Sequence, residues 1–260
     1  ILLFDDEKPL PFGKTTHAEF YARAAEIFTT TLSSFMREGH LYRVDLRLRP
    51  DGKNGAAVLG KNAFFNYLET RAAIWEWLAY VKLRAVGGDS DSASEIENKA
   101  RRIIHQNASS ADENDLKSET AHVRERLEKE KTRGARDFNI KFGAGGMLDV
   151  YFAMRFLQLR DNVPDDGENR STRAMLQKLS ANGSLAGVDF QAFDGGYDFL
   201  SRLDHNLRLT VGRTNRLPLA NHAAMQTIVE RMKLDSTGDL LEKLTFHRLE
   251  IRSAFENLLR

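Results

Sequence analysis

Cysteine is absent from the 260 residues, which excludes disulfides, thiol catalysis and cysteine-ligated zinc. That absence suits a reducing compartment, and a cytoplasmic location is expected. No apolar run approaches the ~18 residues that span a bilayer, so no membrane partner is expected. No secretory signal is visible either. An excess of either charge is also missing: 38 basic and 37 acidic residues leave a net charge of +1. A dedicated nucleic-acid binder shows a clear basic excess, so nucleic acid is not an expected partner. The 7 histidines form no His-Glu-x-x-His pair, and no Gly-x-Ser-x-Gly nucleophile turn occurs. The chain opens without Met on "ILLF", which reads as a buried strand. A core strand at residue 1 leads us to expect a piece of a longer protein.

A hydrophobic content of 42% can supply a core, and 29% charged residues mark a solvated surface. Residues 1–4 read as a short strand. Thr16-x-x-Glu19 is a capping box, and Phe20, Ala24, Ile27, Phe28, Leu32 and Phe35 follow at helical spacing. Gly39 is the expected end of that helix. Further helices are expected at 61–69, 71–86, 91–108, 113–132, 170–181, 188–212, 221–233 and 237–259, with another over "MLDVYFAMRFLQLRD". The 113–132 helix has a thin apolar stripe of Leu116, Val123 and Leu127, so it should be exposed on most sides. The composition shifts near residue 88, which places a domain boundary between 1–88 and 89–260.

The most unusual stretch is "LYRVDLRLRPDGKNG", residues 41–55. Tyr42, Val44, Leu46 and Leu48 alternate with Arg43, Asp45, Arg47 and Arg49, so 42–49 is expected to be a half-buried strand. Pro50-Asp51-Gly52 supplies a turn, and 56–59 a short partner strand. Two readings of the charged face stand. It is a solvated face on which Asp45 is neutralised by its neighbours. Alternatively, Asp45 ligates Mg²⁺ while the planar forks of Arg47 and Arg49 grip phosphate oxygens.

Two more stretches carry candidate chemistry. In "WEWLAYVKLR" Lys82 and Arg84 point about 200° apart on a helix, so at most one lines a cleft. In "KFGAGGMLD", residues 141–149, a glycine-rich turn feeds a helix start and could hold an anion on its backbone N–H groups. It is not a P-loop, because Met147 stands where a Lys is required. Tight packing of the loop against a helix is the competing reading.

"YRVDLRLRPDGKNG", "YLETRAAIWEWLAYVKLRAVGGD" and "IKFGAGGMLDVYFAMRFLQL", in this order, resemble the glutamine synthetase adenylyltransferase family. The resemblance covers at least 40–260. It implies an α+β fold: part of a nucleotidyltransferase mixed sheet with helices over 1–88, then an all-helical domain over 89–260, like that of the PII uridylyltransferases. It implies transfer of AMP from ATP to a tyrosine of glutamine synthetase, or its removal by phosphorolysis, and a PII-type signal protein as a further partner. In such enzymes three carboxylates hold two Mg²⁺ ions, and Asp45 matches the third. The first two would precede Ile1, so this piece alone is expected to be nearly inactive. Arg47, Arg49 and Lys82 become candidate nucleotide-phosphate contacts. Two positions depart from the family pattern Gly-Gly-x-x-Asp-Ile-Glu-Phe: Tyr151 replaces the Glu, and Arg155 stands where Gln is common. Asp149 favours the adenylylating half. A uridylyltransferase acting on a PII-type protein and a non-catalytic helical interaction module are the alternatives.

Overall fold

The computed structural model describes residues 1–10, 15–37, 39, 41–132 and 139–260. The chain divides into two compact units, Ile1–Ala73 with Leu83–Ile104, and Ile74–Lys82 with His105–Arg260. The expected α+β class is observed: a small parallel sheet and a large set of helices.

In the first unit, strand β1 (Leu2–Phe4) pairs with β2 (Val58–Gly60) in parallel, Leu2 against Val58 and Phe4 against Gly60. Helix α1 (His17–Ser33) begins at Thr16, whose hydroxyl accepts from the Glu19 N–H while the Glu19 carboxylate accepts from the Thr16 N–H. This is the expected capping box. The Tyr21 ring stacks on Phe4 at 4.7 Å and so seats α1 on the strand. The helix stops at Ser33, short of Gly39, because the Ser34 N–H bonds back to Thr30 in an extended cap. Helix α2 (Lys61–Thr70) starts directly after β2 and buries Phe64, Phe65, Tyr67 and Leu68. The sheet end is neutralised where Lys61 Nζ meets Asp5 at 3.0 Å and Glu7 at 3.2 Å.

The expected strand over 42–49 is not formed. Residues 42–47 carry no regular secondary structure, and the sheet of the described residues contains β1 and β2 alone. A strand is stabilised by a ladder partner and a covered face, and this stretch has neither. Its backbone is instead tied to the end of α1, Tyr42 N–H to the Leu32 carbonyl at 2.9 Å. Tyr42 and Leu48 are exposed, as are Ile27, Phe28, Phe35, Met36 and Leu41. The expected partner, 56–59, is realised as β2 but pairs with β1.

Helix α3 (Ile74–Tyr80) is much shorter than the 71–86 expected. Helix α4 (Ser90–Ser110) runs from the first unit into the second. In the second unit α5 (Glu113–Thr132), α6 (Met147–Arg160), α7 (Thr172–Ala181), α8 (Gly187–Val211), α9 (His222–Met232) and α10 (Thr237–Leu259) follow. Helix α6 is buried over most of its circumference and is the axis of this unit. It packs against α3, α5, α7, α8 and α10, and Val150, Ala153, Met154, Phe156, Leu157 and Leu159 have no exposed surface. Each such large side chain contributes roughly 1.5–3 kcal/mol of transfer free energy. Helix α5 is mostly exposed, as its stripe implied, but the buried set is Leu116, Thr120, Val123 and, unexpectedly, Arg124. No helix among the described residues is long and apolar enough to cross a membrane.

Glycine at 145 is dictated by both conformation and space. Its φ is +67°, and a Cβ there would sit 1.9 Å from the carbonyl oxygen of Arg248 in α10. Gly145→Ala is therefore expected to cost about 3 kcal/mol or more, because strain and overlap with backbone act together. Urea unfolding followed by circular dichroism measures this, and a loss below about 1 kcal/mol would contradict the close approach.

Candidate functional site

Asp45 and Arg47 meet as the charge alternation suggests, though off a strand. Arg47 Nε donates to Asp45 Oδ1 at 2.9 Å and Nη2 donates to Oδ2 at 2.6 Å, while the Arg47 backbone N–H donates to Oδ1 at 3.0 Å. The guanidinium bonds, and then the backbone N–H, hold the Asp45 carboxyl at about 2, well below its ordinary 3.8. Both side chains are exposed, 55% for Asp45 and 85% for Arg47, so solvent screens the pair and its stabilisation is small. Asp45 is nonetheless ionised at any pH where the protein works.

Arg49 is used differently. Nε donates to the Gly55 carbonyl at 3.1 Å, Nη1 to Leu46 at 2.7 Å and Nη2 to Lys53 at 3.2 Å. The guanidinium thus wraps the turn that Asp51 and Gly52 make with φ of 60° and 56°. Lys82 is half-buried in the turn that follows α3 and belongs to the second compact unit, whereas Asp45, Arg47 and Arg49 belong to the first.

Asp45 offers one hard oxygen ligand, charged at neutral pH, which suits Mg²⁺ only together with substrate phosphates. Among the described residues no three His, Asp or Glu side chains gather to hold a cation. The three-carboxylate cluster that binds two ions is therefore not assembled by these residues alone.

The most developed polar constellation lies in the second unit, around the glycine-rich turn and Asp149, with Arg124 as its unforeseen member. Asp149, on the first turn of α6, is fully buried, and its Oδ1 accepts from Nε of the equally buried Arg124 of α5. Arg124 Nη2 donates to the Gly143 carbonyl at 2.9 Å, and Nη1 lies 3.1 Å from Glu128 one turn on. Asp149 Oδ2 accepts from the Gly145 N–H at 2.7 Å and from Arg252 Nη1 of α10 at 3.5 Å. Arg252 Nη1 also reaches Glu128 at 3.3 Å, and Arg248 Nε donates to the Ala144 carbonyl at 2.9 Å. Burial pushes the Asp149 carboxyl up, and Arg124, the Gly145 N–H and Arg252 oppose it. The glycine-rich turn is thus pinned between α5 and α10 by the carboxylate that follows it. It is a packing device, and the Gly145 N–H is already taken. The spacing of Arg124 and Glu128 hinted at a local pair, but nothing local pointed to Arg124 with Asp149.

Arg124→Met leaves Asp149 buried without its main counter-charge and should cost about 3–5 kcal/mol in chemical unfolding. Adding Asp149→Leu should recover roughly 2 kcal/mol of that loss, a coupling that a double-mutant cycle reads directly. For Asp45, the depressed value means its contribution is present above pH 3.8 and disappears as pH falls through about 2. Arg47→Gln should return the Asp45 carboxyl resonance, followed by NMR titration, to the ordinary carboxylate range; no change would mean the pair does not form in solution.

Comparison with known proteins bears on both units. Residues 2–99 match the family model of glutamate-ammonia ligase adenylyltransferase, and residues 97–259 that of GlnD PII-uridylyltransferase. The chain is 29% identical over 248 residues to the bifunctional glutamine synthetase adenylyltransferase/adenylyl-removing enzyme of Nitrosomonas europaea, covering 94% of this chain and 26% of that protein. The enzyme of the same name from Methylococcus capsulatus is 28% identical over 257 residues, 98% of this chain and 27% of that protein. That of Chromobacterium violaceum is 30% identical over 216 residues, 82% and 23%. The chain thus spans about a quarter of the length of these relatives. With its first part matched by the adenylyltransferase model and its helical part by the uridylyltransferase model, the chain belongs to the glutamine synthetase adenylyltransferase family.

Proposed function

We propose that this chain is part of an enzyme that transfers AMP from ATP to a tyrosine of glutamine synthetase or removes it by phosphorolysis. The observation that carries this reading is the likeness, over 94% of the chain, to a protein named for both activities. A nucleotidyltransferase portion over 1–88 would be followed by a helical portion over 89–260, and the two family matches, meeting at 97–99, support that order. Reaction of this type depends on positioning and on neutralising phosphate charge. Asp45 is the carboxylate this chain would give to a Mg²⁺ ion held with ATP phosphates, and the ion would supply charge stabilisation at the phosphorus. Arg47, exposed and paired among the described residues with Asp45 alone, is the guanidinium best placed to exchange its partner for a phosphate oxygen. Arg49 would hold the turn beside them, or reach phosphate only after releasing its carbonyls. Lys82 is a further candidate contact. A cytoplasmic setting would follow from the substrate.

A PII-type signal protein is the proposed second partner, supported by the uridylyltransferase match over 97–259. The same match favours one rival, uridylyl transfer to such a protein.

The test is transfer of label from α-labelled ATP to glutamine synthetase, with Mg²⁺, by the protein taken at the full length of its relatives. We expect transfer, and a fall on the order of 100-fold for Asp45→Asn, with unchanged thermal unfolding because the side chain is exposed. Wild-type rates in Asp45→Asn would remove Asp45 from the site. Label passing only from UTP, and only to a PII-type protein, would replace the reading.

A further inference from the structure

The two departures flagged in the sequence, Tyr151 and Arg155, fall one turn apart on α6 and share a face turned to α8. Tyr151 and Tyr197 of α8 bring their hydroxyls to 3.3 Å with the rings edge to face. Burial and the Tyr197 hydroxyl push the Tyr151 phenol well up, so it stays a hydroxyl. Arg155 acts on Tyr151 electrostatically, but it has no ion pair among the described residues, and its buried Nε has no hydrogen-bond partner. This contrasts with Arg124, whose fork is engaged by a carboxylate and a carbonyl. Burial pushes the Arg155 guanidinium down, the consequence of a desolvated cation without a counter-charge. Asp204 of α8 is the carboxylate that acts on Tyr151; its Oδ2 accepts from Arg208 Nε at 2.7 Å, while its buried Oδ1 has no hydrogen-bond partner among the described residues.

We propose that Arg155, with the hydroxyls of Tyr151 and Tyr197, binds one oxyanion group, a carboxylate or a phosphate, carried by a small molecule. A planar guanidinium presents paired donors that match either group. Of two mutually bonded phenols one proton stays free, and it adds a further donor. The residue remains partly accessible, so a small ligand can reach its outer nitrogens while the recessed Nε fixes direction.

The test is titration of ¹⁵N-arginine-labelled protein with sodium phosphate and, separately, sodium succinate at constant ionic strength. At least one anion should shift the Arg155 Nε–H resonance saturably, and the responding anion identifies the group. Calorimetry should show that binding lost in Arg155→Gln, and weakened about tenfold in Tyr197→Phe, which keeps the ring packing. Circular dichroism checks that both variants are folded; should Arg155→Gln unfold, Tyr197→Phe decides alone. No saturable shift with either anion, or undiminished affinity in the folded variants, overturns the site.

Discussion

The contact on which the helical unit depends is the buried pair between Arg124 and Asp149. Neither group reaches water, so each is tolerable only because the other is there. That mutual requirement fixes three things together. Asp149 sets where α6 begins, Arg124 sets how α5 lies against it, and Arg252 extends the same charges to α10. The Gly143–Ala144–Gly145 backbone threads through the network, one carbonyl to Arg124, one to Arg248 and one N–H to Asp149. Apolar packing around α6 supplies more free energy in total, but it is tolerant of small rotations. A buried, directional ion pair is not, so it specifies the register in which the packing occurs.

The Asp45 region obeys the opposite logic. Its ion pair is exposed, both side chains are free to leave, and its backbone belongs to no ladder. Such a pair adds little stability, but it keeps a carboxylate charged and a guanidinium oriented without locking either. Arg49 makes this workable, since its three carbonyl bonds hold the turn from Leu46 to Gly55 in place of strand pairing. A screened contact of this kind releases its partners far more easily than a buried one.

What could be read from the sequence divides along the same line. Local rules sufficed for the capping box at Thr16 and Glu19, for the Pro50–Gly52 turn and for α10, because the partners lie within a few residues. The Asp45–Arg47 pair was visible for the same reason. The strand over 42–49 was misread because alternation reports only a preference for an extended, two-faced backbone. Whether a ladder forms depends on neighbours that periodicity does not contain. Helix α3 was overextended because "AAIWEWLAYVKLRAV" has helical spacing throughout, yet the chain leaves the helix at Val81 and Lys82. The Arg124 network was invisible, as its partners lie 25 and 103 residues apart along the chain.

Two arginines in one helical unit therefore show what burial demands of a charge. Arg124 is sealed in and paired with a buried carboxylate, and an isolated change there breaks the unit rather than any chemistry. Arg155, on the axis helix, is enclosed by its own neighbours, yet among the described residues no carboxylate pairs with it. A helix that can place Asp149 opposite one guanidinium could place a carboxylate opposite another. Tyr151 occupies the position one turn away from which such a carboxylate would have reached Arg155. The position holds a neutral donor instead, so among the described residues the charge on Arg155 has no ion-pair partner. Structural pairing explains the first arginine completely and leaves the second without a structural reason, which is the physical ground for giving it a ligand.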